Sequence, residues 1–337
     1  MKAIVYDQAG LEPEDPRALY DADVAVPTPG ARDLLVRIHA IAVNPVDTKV
    51  RRGMAPDGQR ILGWDAAGVV TAVGADVTLF KPGDEVFYAG SLVRPGCNAE
   101  YALVDERIAG HKPATLDYAN AAALPLTAIT AWELLFDRLG VAEGGGEGQS
   151  LLIVGGAGGV GSILTQIASR LTRMTVIATA SRPETQDWVR QLGAHHVIDH
   201  HRGLVDELKR VGVPAVTHVA SLTHTDSHYP QLIEALAPQG RLGVIDDPAT
   251  LDAVPLKRKA ISLHWELMFT RSLFQTDDMI RQHEILERVA RLVDEGMLRS
   301  TLGEHFGRID AANLRRAHAA QESGKARGKI VLEGFGS

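Results

Sequence analysis

Three glycines with the spacing G-x-G-x-x-G are the residues whose pattern most clearly indicates a chemistry. They are Gly156, Gly158 and Gly161, in the stretch LLIVGGAGGVG between an apolar run and a helix-like run. In this setting the first glycine permits a tight turn, the second lets the backbone approach a pyrophosphate, and the third allows close helix–strand packing. The helix N-terminus offers free N–H groups to the phosphates. The pattern predicts a dinucleotide site formed by Gly156, Ala157, Gly158, Gly159, Val160 and Gly161, the alternative being a glycine-rich turn that binds nothing.

The residues about 20 positions after this motif indicate which dinucleotide is bound. An NAD site usually has Asp or Glu there to hold the ribose 2′-hydroxyl, whereas this chain reads TASRP at 179–183. Ser181 can donate a hydrogen bond to a 2′-phosphate, and Arg182 can pair with its charge. The sequence therefore predicts NADPH as the cofactor. In the alternative interpretation both residues only begin a helix, with Pro183 in its first turn and Arg182 in solvent.

Length and composition bound the class of protein. The chain has 337 residues, 45% hydrophobic and 23% charged, which is typical of a soluble protein of two domains. Its net charge of −7 and its lack of basic runs argue against nucleic acid as a partner. No apolar run reaches the roughly 18 residues of a membrane span, and the first ten residues resemble a strand more than a signal peptide. The single Cys97 excludes an intrachain disulfide and a four-cysteine zinc site, and it favours a cytoplasmic location.

The elements that must position these residues fall into two regions. Residues 1–125 combine β-like runs with many turns and indicate a mostly β domain. A helix-like run near 118–136, interrupted by Pro125, and a glycine-rich loop at 141–150 follow. Strands and helices then alternate, which predicts a doubly wound parallel sheet. A long helix at about 277–296 and a final strand in GKIVLEGF complete the expected α/β fold.

Several motifs in this order resemble the medium-chain dehydrogenase/reductase superfamily, in its quinone oxidoreductase-like branch and the subgroup termed zinc-type alcohol dehydrogenase-like. They are AIAVNPVDTKV (40–50), ILGWDAAGVV (61–70), FKPGDEV (80–86), AAALPLTAITAWE (121–133), the glycine motif, LGAHHVIDH (192–200) and GKIVLE (328–333). The resemblance implies a GroES-like catalytic domain at 1–126 and 269–337 around a Rossmann domain at 127–268. It also implies a homodimer joined through the last Rossmann strands, near ISLHWELM at 261–268.

The same resemblance poses the question of zinc. Relatives that use zinc have a ligand Cys where this chain reads NPVD, and a His-Glu pair where it reads Trp64-Asp65. Neither Asn44 nor Trp64 is a zinc ligand, and Asp65 alone cannot build a site. The pair His224 and His228 has helical i, i+4 spacing but no third ligand at matching spacing, so we expect histidines on the surface or behind the residues that contact the ligand. We therefore expect no metal site.

Without a metal, hydride transfer suits an acceptor that is already electron-poor, such as a quinone or an α,β-unsaturated carbonyl. An unactivated ketone or alcohol usually needs a metal or a positioned proton relay. The resemblance places Asn44, Trp64, Tyr88 and Thr127 around substrate and nicotinamide, with Asn44 and Tyr88 as catalytic candidates. Asp47 is at least as well explained as a helix cap, Trp64 as core and Lys329 as a surface ion pair. Further cofactor contacts are expected, by resemblance or at strand ends, at His200, Ser221, Leu222, Ile245 and Lys329.

The sequence thus predicts a zinc-independent, NADPH-dependent oxidoreductase that transfers hydride to quinones or enones. One alternative is a zinc-type alcohol dehydrogenase with unusual ligands. The other is a non-catalytic NADPH-binding redox sensor, which the lack of a firmly identified proton donor keeps open.

Overall fold

The computed structural model describes residues 1–336, which form two compact units. Unit 1 comprises Met1–Ile129 and the chain from Phe269 onward, and unit 2 comprises Thr130–Met268. The sequence analysis put the first boundary three residues earlier, at 126/127, and the second at the same place. The fold is mixed α/β, with a GroES-like β domain and a Rossmann-type parallel sheet.

The strands, numbered in chain order, are β1 Lys2–Tyr6, β2 Tyr20–Asp23, β3 Asp33–Val43, β4 Arg60–Ile61, β5 Ala66–Val73, β6 Glu85–Tyr88, β7 Tyr101–Asp105, β8 Ala109–His111, β9 Ser150–Val154, β10 Thr175–Thr179, β11 His196–Ile198, β12 Val216–Ser221, β13 Leu236–Val244, β14 Ser262–Trp265, β15 Leu302–His305 and β16 Lys329–Glu333. The α-helices are α1 Pro45–Gly53, α2 Tyr118–Ala122, α3 Pro125–Trp132, α4 Gly159–Leu171, α5 Pro183–Gln191, α6 Leu204–Arg210, α7 Thr225–Ala235, α8 Thr270–Phe274, α9 Arg281–Asp294 and α10 Ala311–Glu322. A π-helical turn, Glu133–Arg138, continues α3.

Unit 1 is built on a seven-stranded sheet in the order β15-β16-β3-β5-β6-β8, with β7 pairing β3, and a smaller sheet in the order β2-β1-β4. The long strand β3 lies at its centre, where it pairs antiparallel with β5, β7 and β16. Strand β16 comes from the C-terminal segment, so the sheet joins chain segments almost 300 residues apart. This arrangement brings Lys329, at the start of β16, next to the end of β3.

Unit 2 contains a parallel sheet in the order β11-β10-β9-β12-β13-β14. This is the order of a dinucleotide-binding fold, whose ligands lie at the carboxyl ends of the strands. The central strand β9, SLLIV, is buried along its whole length, as expected for a parallel strand covered on both faces. The carboxyl ends of β9, β10 and β12 therefore position the predicted cofactor residues.

Some helices differ from the sequence-based expectation. The long helix expected at 277–296 is α9, which covers only Arg281–Asp294. Helices α6 and α10 were not predicted, because LVDELKR is short and the Ala-rich run near 311–322 has weak amphipathic character. The second Rossmann helix, expected to end at Gly193, ends at Gln191 as α5.

The helical stretch Tyr118–Arg138, with 21 residues, is long and apolar enough to cross a membrane by length and composition. The expectation that no run has this length was therefore wrong by length and composition, whereas the predicted interruption at Pro125 is present between α2 and α3. In its most apolar window 83% of the residues are buried inside the protein. This is the burial of a core helix in a soluble protein.

Candidate functional site

In unit 2, the glycine motif forms the turn between β9 and α4. Gly155 has φ +85°, a left-handed conformation that favours glycine, whereas Gly156 lies outside that region. The tight-turn role assigned to Gly156 therefore belongs to Gly155. Gly156 is needed for space, because a Cβ there would lie 2.8 Å from the Ala178 Cβ. A Cβ on Gly161 would lie 2.2 Å from the Gly155 carbonyl oxygen, so this glycine allows the close packing that was predicted.

Gly158 caps the N-terminus of α4 and has a different environment from its neighbours. A Cβ at this position would meet nothing closer than the Gly155 carbonyl oxygen at 3.5 Å, so the protein itself leaves room here. Ala157, Gly158, Gly159 and Val160 are all partly exposed. The first N–H groups of a helix have no acceptor within it. The turn thus has the open space and the free donors that a pyrophosphate requires.

The ends of β10, β12 and β13 carry the other predicted cofactor residues of unit 2. Ser181 and Arg182 are half-buried beyond β10, and no carboxylate lies between Thr179 and Pro183. Arg182 is the N-cap of α5, and its Nε lies 3.3 Å from Glu184 Oε1, so its charge already has a local partner. Arg182 therefore begins a helix and remains accessible, and its pairing with a 2′-phosphate stays a prediction.

Ser221, Leu222 and Ile245 lie next to one another at the same edge of the sheet. The Leu222 N–H donates to the Val154 carbonyl at 3.2 Å, and the Ile245 N–H donates to the Ser221 carbonyl at 3.2 Å. The Ser221 hydroxyl is fully buried and bonded to the Thr225 hydroxyl at 2.7 Å. Ser221 therefore acts in the structure as a brace between β12 and α7.

His200 follows β11 and belongs to a cluster of histidines, which we call the histidine cluster: His200, His201, His224 and His228. The His200 ring centroid lies 4.3 Å from that of His201 and 6.0 Å from that of His228. His201 and His224 are exposed, whereas His200 and His228 are partly buried, and the expected contact of His200 with the cofactor stays a prediction. Burial lowers the pKa of His200 and of His228 below the usual histidine value.

In unit 1, a buried polar network joins Asn44, Asp65 and Lys329. The Lys329 ammonium donates to Asp65 Oδ2 at 2.8 Å, to the Val43 carbonyl at 2.9 Å and to Asn44 Oδ1. The Asn44 amide donates to Asp65 Oδ2 at 2.9 Å, and the three side chains are at most 3% exposed. Lys329 is therefore not the surface ion pair that was offered as its alternative role.

Asp65 is held on both sides of its carboxylate. Its Oδ1 accepts from the Leu126 N–H at 2.8 Å, and its Oδ2 accepts from Asn44 and Lys329. Burial raises the pKa of Asp65, and the ammonium and amide donors oppose that change. The pairing of Asp65 with Lys329 had no local signal in the sequence, because 264 residues separate them.

Asp47 lies next to this network and serves as the helix brace that the sequence analysis considered. Its Oδ2 accepts from the Asn44 N–H at 2.6 Å, across the first turn of α1. Its Oδ1 is buried without a hydrogen-bond partner among the described residues. Burial raises the pKa of Asp47 to about 7.

The aromatic candidates of unit 1 are buried. Trp64 is 1% exposed, donates to the Ser91 carbonyl at 3.1 Å and packs edge-on against Phe269. The Tyr88 hydroxyl is buried without a protein partner among residues 1–336, and burial holds its pKa well above 10. The Thr127 hydroxyl donates to the Leu124 carbonyl at 3.1 Å, inside the helix. Trp64 is therefore part of the core of unit 1, as its alternative interpretation had it.

Unit 1 also contains a largely apolar cavity of about 830 Å³. It lies at the C-terminal end of α1, where Met54, Arg60, Leu92, Val93 and Leu273 contribute to its wall. Asn44 caps the opposite end of the same helix, about 13 Å away for nine residues. None of Asn44, Asp65 and Lys329 lines this cavity.

With this geometry in view, comparison with known proteins identifies the family. Residues 30–114 match the alcohol dehydrogenase GroES-like domain, and residues 192–332 match the zinc-binding dehydrogenase family. A zinc-type alcohol dehydrogenase-like protein of Staphylococcus aureus (strain MSSA476) is 43% identical over 91% of this chain and 92% of its own. The chain therefore belongs to the medium-chain dehydrogenase/reductase superfamily, a family of oxidoreductases.

Solved structures agree with this assignment. A protein of Rhizobium etli CFN 42, provisionally described as a zinc-dependent alcohol dehydrogenase, has a TM-score of 0.96 and 56% identity, covering 100% of this chain and 99% of its own. The quinone oxidoreductase of Escherichia coli, solved with NADPH, has a TM-score of 0.83 and 24% identity, covering 99% of this chain and all of its own. At that identity the second likeness concerns the fold alone.

The zinc named in these descriptions does not fit the residues of this chain. Asn44 and Trp64 stand where zinc-using relatives have ligands, and the Trp64 indole has no lone pair to offer. Asp65 is already bound by the Lys329 ammonium. Cys97 is a buried thiol that donates to the Asp65 carbonyl at 3.3 Å, and burial raises its pKa. Among residues 1–336, no group of three or more His, Cys, Asp and Glu side chains could hold a metal ion.

Proposed function

We propose that this protein is a zinc-independent, NADPH-dependent oxidoreductase that reduces quinones or α,β-unsaturated carbonyl compounds. The observation that carries the proposal is the ion pair between Asp65 and Lys329, at 2.8 Å in a fully buried setting. Asp65 is the acidic residue of the Trp64-Asp65 pair, which stands where zinc-using relatives have a His-Glu pair with a zinc ligand. The ion pair with Lys329 therefore already engages the only carboxylate of this motif. An oxidoreductase of this family without zinc suits acceptors that need no Lewis acid.

The cofactor preference is argued from the end of β10. Ser181 and Arg182 offer a hydroxyl and a guanidinium where an NAD site would have a carboxylate. A carboxylate would repel a 2′-phosphate, whereas these two side chains attract one. The glycine turn would hold the pyrophosphate at the N-terminus of α4.

When bound, NADPH supplies a hydride to the acceptor, and one proton from solvent or protein completes the reduction to a hydroquinone or a saturated carbonyl compound. The chain has to orient the acceptor and exclude water. The resemblance names Asn44 for the acceptor oxygen and Thr127 for the nicotinamide carboxamide, and Asn44 would have to exchange its bond to Asp65 or to the Ala42 carbonyl in order to donate to an acceptor. The Tyr88 hydroxyl is the candidate proton source, because it carries a proton and has no hydrogen-bond partner among residues 1–336.

The test is NADPH oxidation with 1,4-benzoquinone, 9,10-phenanthrenequinone and a simple enone, on protein whose zinc content is measured in the same batch. We expect turnover that is independent of zinc and unchanged by a chelator. Turnover that tracks bound zinc would instead support the alcohol dehydrogenase. Tight NADPH binding without turnover would support a redox sensor.

The location and the assembly state are also proposals. We propose a cytoplasmic protein, since its single cysteine is a buried free thiol, and a homodimer that forms through the last strands of unit 2.

A further inference from the structure

The histidine cluster lies at the strand ends where the 2′-phosphate of NADPH is expected. Strands β10 and β11 are parallel neighbours, with Thr179 paired to Ile198. Ser181 and His200 each lie two residues beyond this pair, at the same edge of the sheet. Neighbouring strands are about 4.8 Å apart, so the two residues follow adjacent strand ends. The histidine cluster thus follows the strand next to the one that leads to Ser181 and Arg182, the residues that favour NADPH.

The cluster joins two elements of unit 2. His200 and His201 lie in the short turn after β11, while His224 begins α7 and His228 lies one turn further along it. The Thr223 hydroxyl is 2.7 Å from His224 Nδ1 and fixes that ring. His200 Nδ1 is a buried polar atom without a hydrogen-bond partner among residues 1–336. This nitrogen is the polar atom of the cluster that a ligand's polar group would satisfy.

Both acidic and basic groups lie on the elements that form the cluster. On the turn after β11, on α6 and α7 and at the end of β13 they are Asp199, Arg202, Asp206, Glu207, Lys209, Arg210, Asp226, Glu234 and Asp246. Of the acids, Asp199 accepts from the His201 N–H, Glu207 is paired with Arg210, and Asp246 is bonded to Thr225. Burial, together with repulsion from the neighbouring imidazoles when they are charged, lowers the pKa of His200 and of His228. In the free protein these two rings therefore bind a proton less readily than an ordinary histidine does.

We propose that the histidine cluster takes up protons when the 2′-phosphate of NADPH binds, and that it thereby makes the preference for NADPH over NADH depend on pH. This inference rests on the proposed NADPH-dependent function. A 2′-phosphate carries about −1.5 to −2 charges at pH 7, which favours the protonated form of a nearby imidazole. A protonated histidine in turn donates a charge-assisted hydrogen bond to the phosphate.

The expected consequence is a fall in NADPH affinity as the pH rises. If one proton is taken up, the Kd for NADPH increases up to about tenfold per pH unit. Above about pH 7 the phosphate itself is almost fully ionised, so pH 7–8.5 isolates the titration of the protein. NADH lacks the 2′-phosphate, and its Kd should stay nearly constant over the same range.

The test is calorimetry at pH 7.5 in two buffers of different ionisation enthalpy, with NADPH, NADH and 2′,5′-ADP as ligands. We expect about half to one proton to be taken up with NADPH and with 2′,5′-ADP, and none with NADH. His200→Gln, His228→Gln and their combination should reduce the uptake. His305→Gln, at an exposed histidine of unit 1, is the control and should keep the uptake.

The outcomes separate this inference from the proposed function. A preference for NADPH without proton uptake, or uptake that persists in the double variant, overturns the role of the cluster but keeps the cofactor. NADH binding as tightly as NADPH at every pH overturns the proposed cofactor itself. Thermal unfolding of each variant shows whether the fold is intact, and proton uptake is a quantity that a merely structural histidine would not change.

Discussion

At the scale of the single residue, Lys329 places a buried positive charge in unit 1. Its ammonium is 3% exposed and neutralises Asp65 while bonding Asn44 and the Val43 carbonyl. Removing one partner of a buried pair leaves the other charge without compensation, which is far more costly than losing an exposed pair. The network is thus a structural unit as well as a candidate site.

We expect Lys329→Met to lower the free energy of unfolding by about 3–5 kcal/mol, measured by urea unfolding at pH 7. Lys325→Met, at an exposed position four residues earlier, should change it by less than about 0.5 kcal/mol. The double variant Asp65→Asn/Lys329→Met should lose less than Lys329→Met alone, because no buried charge is then left unpaired. A loss below about 1 kcal/mol in Lys329→Met would contradict the ion pair.

Asp47 predicts a pH dependence of stability. Burial raises its pKa to about 7 in the folded protein, whereas an unfolded chain loses this proton near pH 4. Between these values the folded state binds more protons, so the free energy of unfolding falls as the pH rises from about 4 to about 7. Over that window the contribution amounts to at most about 4 kcal/mol.

In Asp47→Asn this contribution should vanish, since an amide keeps an acceptor for the Asn44 N–H and does not ionise. The variant should therefore gain stability relative to the wild type as the pH rises from 4 to 7, in urea unfolding at each pH. Asp76→Asn, at an exposed position, is the matched control. An equal pH dependence in wild type and Asp47→Asn would refute the raised pKa.

At the scale of the element, the β9–α4 turn shows what a sequence pattern can and cannot assign. The glycine spacing predicted a strand, a turn and a helix, and these are present as β9 and α4. It did not show that the left-handed residue is Gly155, because GG offers two adjacent candidates and only the backbone conformation separates them. Helix α6 was missed for a related reason, since seven residues carry too little periodic signal.

Two glycine substitutions should have opposite effects. Gly161→Ala places a Cβ against the backbone of the turn, so we expect a loss of about 2–3 kcal/mol in the free energy of unfolding. Gly158→Ala should leave the melting temperature nearly unchanged and weaken NADPH binding, since its Cβ would fill only the space left for the pyrophosphate. Calorimetry and NADPH fluorescence measure the two effects. If Gly158→Ala binds NADPH normally, the pyrophosphate lies elsewhere.

Contacts between distant segments set the limit of the sequence analysis at this scale. The motifs NPVD, WD and GK were each noticed, but no local pattern shows that Asn44, Asp65 and Lys329 meet. Their meeting depends on the pairing of β16 with β3, which only the folded sheet defines. The burial of Trp64 follows from packing against Phe269, which is likewise distant in the chain.

At the scale of the whole molecule, the edge strand β14 is the expected site of self-association. Among the described strands of unit 2 it lies at one end of the sheet, so one of its sides has unpaired backbone groups. Trp265 and Leu267 are 52% and 50% exposed, which is high for large apolar side chains. Pairing of two copies along β14 would cover both features.

We therefore expect a particle of twice 36.2 kDa in light scattering coupled to size-exclusion chromatography. The double variant Trp265→Lys/Leu267→Lys should run as a monomer at micromolar concentration. Val254→Lys is the control, since Val254 is 75% exposed but lies in a turn outside the sheet. A wild-type monomer, or a dimer that survives the double substitution, would exclude this interface.

The pairing of β16 with β3 also affects the order in which the two units can fold during synthesis. Unit 2 is one continuous stretch, Thr130–Met268, which can fold as soon as it has left the ribosome. The central sheet of unit 1 is incomplete until β16 has been synthesised. Asp65 likewise has no counter-ion until Lys329, 264 residues later in the chain, has been added. We expect unit 2 to be native first during synthesis, and the N-terminal segment of unit 1 to reach its native sheet only after β16 has been made.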